Sequence, residues 1–474
     1  AVLLITLLVL FVSYWKYCTK RGKQHIHQTH GAKIRTRVPV RMFNLFAICF
    51  RKVTGFYILN FKPSYFLHES HYDRELEVMK KIGPVTLTDQ EIKKAQKEGL
   101  KLLCDYYNQP NLCWTGIGRV SLFWSHIKEF RARNNLIKYA QQHPEIMKNP
   151  IDENNGLIII TGLPRTGSTF LQTLLSLDPN ARTTRTWEMW YPVPPATGID
   201  NSNHPNLKSM QKDINSVDTI CPKYMDTLKK VHYFAAEAPE EDTLFMYHVP
   251  WRWNFALFIM NTPLANWMFN DKTSSAFACK YLRLCFQAMT HKFKTDHLVT
   301  KNPGHSFYLE NIMAEFPKAN VIFTHRNPKK VISSWSVLSL YSWHLFFQND
   351  FEHPDTHEHM TVQGHTKGIL DQLTLLAQKL VQGRKYFAEH EPEKEKQFFD
   401  INFTKLTEDP ISTVKSIYAH FGYEFTDEYK DRISHYLKNQ PRTKIGRAPH
   451  SIEKLDTTPQ QIDDLFSDYN EMFS

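Results

Sequence analysis

"GLIIITGLPRTGSTFLQTLL", Gly156 to Leu175, changes character twice within 20 residues. It opens as a short β-branched run closed by Gly162, the pattern of a parallel strand buried on both faces. It ends in apolar residues at helical spacing, continuing into "FLQTLLSL". The eight residues between, Gly162-Leu163-Pro164-Arg165-Thr166-Gly167-Ser168-Thr169, keep both glycines and the last threonine of the phosphate-loop pattern GxxxxGK[ST], but Ser168 stands where the lysine belongs. Backbone N–H groups at such a turn and the start of the helix cradle an anion, and the hydroxyls of Thr166, Ser168 and Thr169 add donors. The lysine that reaches the β- and γ-phosphates is missing. A cation comes instead from inside the loop, on the planar fork of Arg165. The loop therefore suits a compact anionic group and not a triphosphate with magnesium.

The strand–loop–helix unit recurs downstream. "HLVTKNPGHSFYLENIMAEFP" (297–317), "NVIFTHRNPKKVISSWSVLSL" (320–340) and "QFFDINFTKLTEDPISTVKSIYAHFG" (397–422) each read as a strand followed by a helix. In the last, Asp409-Pro410 opens the helix and Gly422 closes it. Strands alternating with helices predict an α/β domain, a three-layer sandwich with a central, mostly parallel sheet, and a ligand at the carboxyl ends of its strands. Between the first and second units lies a long aromatic insert, about Trp187 to Lys294. It contains "WEMWYPVPP" and "YHVPWRWNFALFIMN" and reads either as core and lid packing or as the lining of an apolar acceptor pocket.

Upstream the chain is helical. Thr88 and Glu91 in "TDQE" have capping-box spacing, and "LFWSHIKEFRARNNLIKYAQQHPEI" (122–146) has apolar residues three and four apart. "RMFNLFAICFRKVTGFYILNF" (41–61) mixes aromatic and basic residues, as suits a helix lying on a bilayer or one covering the core. The first stretch, "AVLLITLLVLFVSYWKYC", is apolar from Ala1 to Trp15 and then meets Lys16, Lys20, Arg21 and Lys23. Roughly 20 apolar residues are needed to span a bilayer, so this reads as the end of a membrane anchor. The basic flank leans toward a cytosolic domain by the positive-inside rule. A sequon at Asn402-Phe403-Thr404 leaves a lumenal (Golgi or ER) domain as the alternative. The expected division is anchor and basic flank over 1–23, helical and partly amphipathic region over 24–124, and catalytic domain over 125–474.

With 474 residues, 42% of them hydrophobic, the chain has ample material for a core, and disorder as a whole is excluded. A formal charge of +10 fits an anionic ligand, an anionic membrane surface or nucleic acid without choosing among them. The seven cysteines are scattered and odd in number, with no CxxC or zinc spacing, so mostly buried thiols are expected. His353, His357 and His359 in "EHPDTHEH" are bystanders without matching ligands elsewhere, and no metal is expected.

At "GLPRTGST" the chain resembles the sulfotransferases that use 3′-phosphoadenosine 5′-phosphosulfate (PAPS). Their 5′-phosphosulfate loop has a lysine or arginine before a hydroxyl–glycine pair, as in "PRTGST". Their second signature is an arginine at a strand end with a serine eight residues on, gripping the donor's 3′-phosphate. In "RNPKKVISSW" that maps onto Arg326 and Ser334. The resemblance runs from about Ser125 to the C-terminus through "WEMWYPVPP", "APEED", "TKNPGH" and "HSIEKLDTTPQQIDDLFSDYNEMF". It is strongest to the branch found in bacteria and many animals.

The resemblance implies transfer of a sulfuryl group from PAPS to a hydroxyl acceptor, without a metal. Arg165, Thr166, Gly167, Ser168 and Thr169 would hold the 5′-phosphosulfate, Lys301 would lie near the transferring oxygens, and Arg326 and Ser334 would hold the 3′-phosphate. A basic–glycine segment that closes over the donor in cytosolic relatives has its counterpart in "RTKIGRAPH", which nominates Arg447 and, beside it, His450. The base has two candidates. Glu188 in "TWEMW" sits among aromatics, where desolvation raises a carboxyl pKa, and His305 ends "TKNPGH" with an ordinary pKa already suited to the task. Glu237, just before "APEED", and Glu240 and Glu241 within it, flanked by His232 and His248, are further candidates for the pocket. The aromatic insert and the anchor lean toward a small hydrophobic or lipid-like alcohol as acceptor; nucleic acid is not expected as a partner. Two rival readings are a magnesium-dependent P-loop kinase and a non-catalytic membrane scaffold that keeps the fold.

Overall fold

A computed structural model describes residues 37–474 except 110–111, 113, 155, 199–200, 230, 254–261, 294, 348–360, 440–451 and 474. Among the described residues the first four α-helices are α1 (Val38–Thr54), α2 (Glu69–Met79), α3 (Asp89–Tyr107) and α4 (Gly116–Gln142). The capping box forms at α3: Glu91 Oε2 accepts from the Thr88 N–H at 2.8 Å, and Thr88 Oγ1 from the Glu91 N–H at 3.2 Å. α4 begins earlier than its apolar spacing indicates, because the Thr115 hydroxyl caps it at Gly118. It stops before Pro144, where the chain tightens into a 3₁₀ turn.

The sheet has five parallel strands: β1 (Leu157–Gly162), β2 (Ala181–Thr183), β3 (His297–Lys301), β4 (Asn320–His325) and β5 (Phe398–Asn402), in the order β2-β3-β1-β4-β5. The four strands read from the sequence are all present. β2, an edge strand of three residues, is too short to carry a periodic signal. β1 is central and buried along its whole length. Its side chains alternate between the two faces: Leu157 and Ile159 join a core with Val321 and Phe323, while Ile158 and Ile160 join one with Val299, Ile322 and Ile401.

The helices that matter next are α5 (Ser168–Leu175), α6 (Thr186–Trp190), α7 (Lys272–Thr290), α8 (Pro328–Phe347), α9 (Val362–His390), α10 (Phe403–Glu408) and α11 (Pro410–Phe421). α5 and α11 cover one face through Leu171, Leu174, Val414 and Ile417. α7, α9 and the N-terminal helices cover the other through Phe277, Leu373, Leu100 and Phe130, so the N-terminal region packs on the same core as the sheet. As expected, Asp409 caps α11 and Gly422 ends it in the left-handed region at φ 78°. This is the expected three-layer α/β sandwich.

In the aromatic insert, Trp187, Trp251 and Trp253 are fully buried, and the Trp253 ring stacks on Trp335 at 5.6 Å. These residues are core, and residues 254–261 lie outside the description. The expected anchor and flank, residues 1–23, also lie outside it; among the described residues no helix is long and apolar enough to cross a membrane. Five of the cysteines, Cys49, Cys104, Cys221, Cys279 and Cys285, are buried free thiols.

Candidate active site

The order of the sheet makes β1 the point where the chain turns outward in both directions, to β3 on one side and β4 on the other. The loop after β1 therefore lies between the ends of those two strands. Gly162, paired with Thr324, has φ 121°, and a β-carbon there would lie 2.5 Å from the Thr324 carbonyl oxygen. Gly167, φ 86°, caps α5, and a β-carbon on it would press on the Phe403 ring at 3.0 Å. Both glycines are thus required by backbone conformation and by close approach.

Arg165 also has a positive φ, 64°, in a residue that is not glycine. Three contacts hold it there. Its Nε donates to Ser334 Oγ at 3.0 Å, its Nη2 donates to the Val231 carbonyl at 3.0 Å, and its own carbonyl accepts from Arg326 Nη1 at 2.8 Å. The structure thereby brings Arg165, Arg326 and Ser334 together from β1, β4 and α8, as the sequence reading required. The Arg326 guanidinium lies over the Phe403 ring at 4.1 Å. Among the described residues Arg165 makes no ion pair. Burial pushes its pKa down to about 10, and neighbouring Arg326 pushes the same way against the opposing pull of Glu241.

The loop hydroxyls divide. Thr166 is fully buried and its Oγ1 donates inward to the Leu163 carbonyl at 2.7 Å, with Thr324 Oγ1 2.6 Å away. This corrects the expectation for Thr166: its hydroxyl ties the turn to β4 and is spent within the fold. Ser168 and Thr169 at the start of α5 have no hydrogen-bond partner for their hydroxyls among the described residues, so those donors are unspent.

On the β3 side, Lys301 Nζ donates to Glu241 Oε1 at 2.7 Å and lies 3.9 Å from Glu240 Oε1. Burial alone would raise the Glu240 carboxyl, but His232, Lys301 and the Glu241 N–H outweigh it and hold the group at about 2. His232 Nε2 lies 2.8 Å from Glu240 Oε2. The acidic cluster is tied to the loop helix by Gln172, which donates to the Glu240 carbonyl at 3.2 Å.

The two expected bases are each engaged by a buried partner. Glu188 on α6 is buried as foreseen, but its carboxylate accepts from Arg182 Nη2 on edge strand β2. Arg182 also donates to the Met289 carbonyl and faces the Phe293 ring at 4.1 Å. His305 is fully buried with both ring nitrogens engaged, Nε2 at 2.9 Å from Asp242 Oδ2 and Nδ1 at 3.0 Å from Tyr308 Oη. Asp242 also accepts from Thr300 at 2.5 Å and Asn302 at 2.8 Å, so the group braces the end of β3. His248 pairs with Tyr281 at 2.9 Å, with burial pushing its pKa down to about 4. Arg447, His450, His353, His357 and His359 lie outside the described residues.

Sequence reasoning passed over Gln172, Val231 and Asp242, and noticed His232 only as a neighbour of the acidic cluster. No local signal marks Gln172 or Val231, and Asp242 stands out only as the last acid of "APEED", because each meets its partner only through the folding of the insert against β3 and α5.

An all-parallel sheet with a glycine-bounded anion loop at its switch point defines a P-loop-like α/β protein. Residues 158–427 match the model of the Sulfotransferase family, and the chain belongs to that family. Omega-hydroxy-beta-dihydromenaquinone-9 sulfotransferases Stf3 of Mycobacterium bovis and Mycobacterium tuberculosis are each 25% identical over 159 residues, 33% of this chain and 37% of the relative. The match thus spans little more than a third of those relatives. Sulfotransferase STF9 from Mycobacterium avium superposes with a TM-score of 0.66 at 20% identity, covering 86% of this chain and 97% of that one. STF1 from Mycobacterium tuberculosis gives 0.63 at 21%, covering 85% and 99%. These two structures share the fold.

Proposed function

We propose that the protein transfers a sulfuryl group from PAPS to the hydroxyl of a hydrophobic, lipid-like acceptor. The observation that carries this is the meeting of Arg165, Arg326 and Ser334 beside a loop whose Ser168 and Thr169 hydroxyls remain unspent. Two guanidinium groups side by side raise each other's cost of burial, and an anion between them relieves it. Loop amides, Ser168, Thr169 and Arg165 hold the 5′-phosphosulfate, and Arg326 with Ser334 holds the 3′-phosphate. Lys301 supplies positive charge where the transferring oxygens gain negative charge.

Transfer places the acceptor oxygen in line with the sulfur. A new O–S bond forms as the bond from sulfur to the 5′-phosphate oxygen breaks, and that oxygen keeps the electron pair. The acceptor proton passes to a base. An acceptor of lipid character is supported by the Stf3 relatives, named for a hydroxylated menaquinone. It is also supported by α1, whose Val38, Met42, Phe46 and Val53 are exposed on a helix that follows Arg37 and carries Arg41 and Arg51. That face suits a membrane surface, where the apolar run from Ala1 to Trp15 would also reside.

The test is calorimetry of the purified protein with 3′-phosphoadenosine 5′-phosphate (PAP), the desulfated donor, without magnesium, followed by incubation with sulfur-labelled PAPS and fractionated lipid, glycan and protein extracts. Tight PAP binding, no ATP binding and label in a lipid fraction are expected. Label confined to a polar glycan fraction overturns the acceptor assignment, and ATP binding that needs magnesium overturns the donor assignment.

A further inference from the structure

We infer that His232, oriented by Glu240, is the base that takes the proton from the acceptor hydroxyl; this rests on the sulfuryl-transfer reading above. Both bases expected from the sequence have their functional atoms occupied by buried partners, so the question is which remaining group near the loop is equipped for the task. His232 is attached to the loop through its neighbour in sequence: the Val231 carbonyl accepts from Arg165 Nη2 at 3.0 Å. Its Nε2 is 2.8 Å from Glu240 Oε2. Glu240 is buried and ionised, so it can only accept there, which assigns the proton to Nε2 and leaves the lone pair on Nδ1.

Nδ1 has no hydrogen-bond partner among the described residues, and the side chain retains 19% exposure, whereas His305 has none. One nitrogen held by a carboxylate and the other without a partner among the described residues is the arrangement of a general base whose tautomer is set by an acid. The charged groups around it are Glu240 in contact, Glu241 and Lys301 beyond that carboxylate, and Arg165 against the adjoining backbone. The ring is therefore linked to the loop arginine through the Val231 backbone and to the lysine at the end of β3 through Glu240.

In the step itself, His232 Nδ1 accepts the acceptor's hydroxyl proton while the acceptor oxygen forms its bond to sulfur. The bond from sulfur to the 5′-phosphate oxygen breaks with its electron pair on that oxygen. The imidazolium is stabilised by Glu240 and returns its proton to solvent after product leaves. Glu240 acts through His232 and is a positioning residue.

The experiment compares wild type, His232→Gln, His232→Ala and Glu240→Gln for label transfer from sulfur-labelled PAPS to a total lipid extract, with PAP affinity measured in parallel. His232→Gln keeps an N–H donor for Glu240 but takes no proton. It is expected to lower turnover by about 100-fold or more while PAP affinity changes by less than about threefold. Added imidazole is expected to restore part of the turnover of His232→Ala and none of that of His232→Gln. Glu240→Gln, which no longer enforces the tautomer, is expected to lower turnover by about 10-fold or more while PAP affinity changes by less than about threefold. Turnover of His232→Gln within a few-fold of wild type overturns the proposal and leaves the sulfotransferase reading standing. A wild type that binds no PAP and labels no extract overturns both.

Discussion

Arg165 occupies a backbone region that costs a non-glycine residue on the order of 1 kcal/mol, and the surrounding contacts over-determine it. Ser334 and Val231 fix its fork, and Arg326 fixes its carbonyl, so one side chain joins both halves of the proposed donor site. Replacing Arg165 by Ala is expected to weaken PAP binding about 10- to 100-fold, the worth of a hydrogen bond to a charged group. Calorimetry without magnesium reads this, and an affinity unchanged within about twofold places the donor elsewhere. Arg165, Arg326 and Ser334 were legible in the sequence because each lies in a local pattern on a recognisable element. The direction of the Thr166 hydroxyl was not, because Thr324 on the neighbouring strand decides it. Nor were the partners of Glu188 and His305. A desolvated carboxyl and a helix-start histidine look reactive until Arg182 and Asp242 are seen to occupy them.

Among the elements, β1 and α5 were readable together, since a buried strand, a glycine turn and a helix follow in one unbroken stretch. The strand order was not, because a parallel neighbour is selected by burial across the sheet and not by adjacency along the chain. α1 shows the opposite limit. Its mixed aromatic and basic pattern fitted either a core-covering or a bilayer helix, and the structure does part of each: Leu45, Ile48 and Cys49 are buried, while Val38, Met42 and Phe46 are exposed. Substituting those three exposed residues by Ser is expected to reduce sedimentation of the protein with phosphatidylserine vesicles by several-fold, with little effect on thermal stability. Equal sedimentation of wild type and variant removes α1 from the membrane-binding surface.

At the scale of the whole molecule, buried ion pairs join the N-terminal helices to the insert. Glu129 on α4 meets Arg252 and lies 2.7 Å from His126, while Arg133 bridges Glu75 on α2 to the His248 carbonyl. Burial alone would raise Glu129, but Arg252 and His126 hold it at about 2, below its usual 4.5. Glu240 is held at the same level. A depressed carboxyl contributes stability that is complete above its unfolded value and is lost as pH falls through the folded one. The urea midpoint is therefore expected to fall steeply from about pH 4.5 toward pH 2. Glu129→Gln, which removes the carboxylate charge from beside buried Arg252, is expected to cost about 3–5 kcal/mol at neutral pH and to flatten that dependence. A midpoint insensitive to both changes overturns this account.

The sequence by itself determined the alternating α/β plan, the glycine-bounded loop without a lysine and the arginine–serine pair downstream, because each is written in residues close enough to share one element or turn. Only the tertiary structure decided which charges are spent on holding the fold and which are left over. His305 and Asp242 are 63 residues apart, and Arg165 and Ser334 are 169. Whether a buried charge is satisfied depends on what the chain brings to it across such separations.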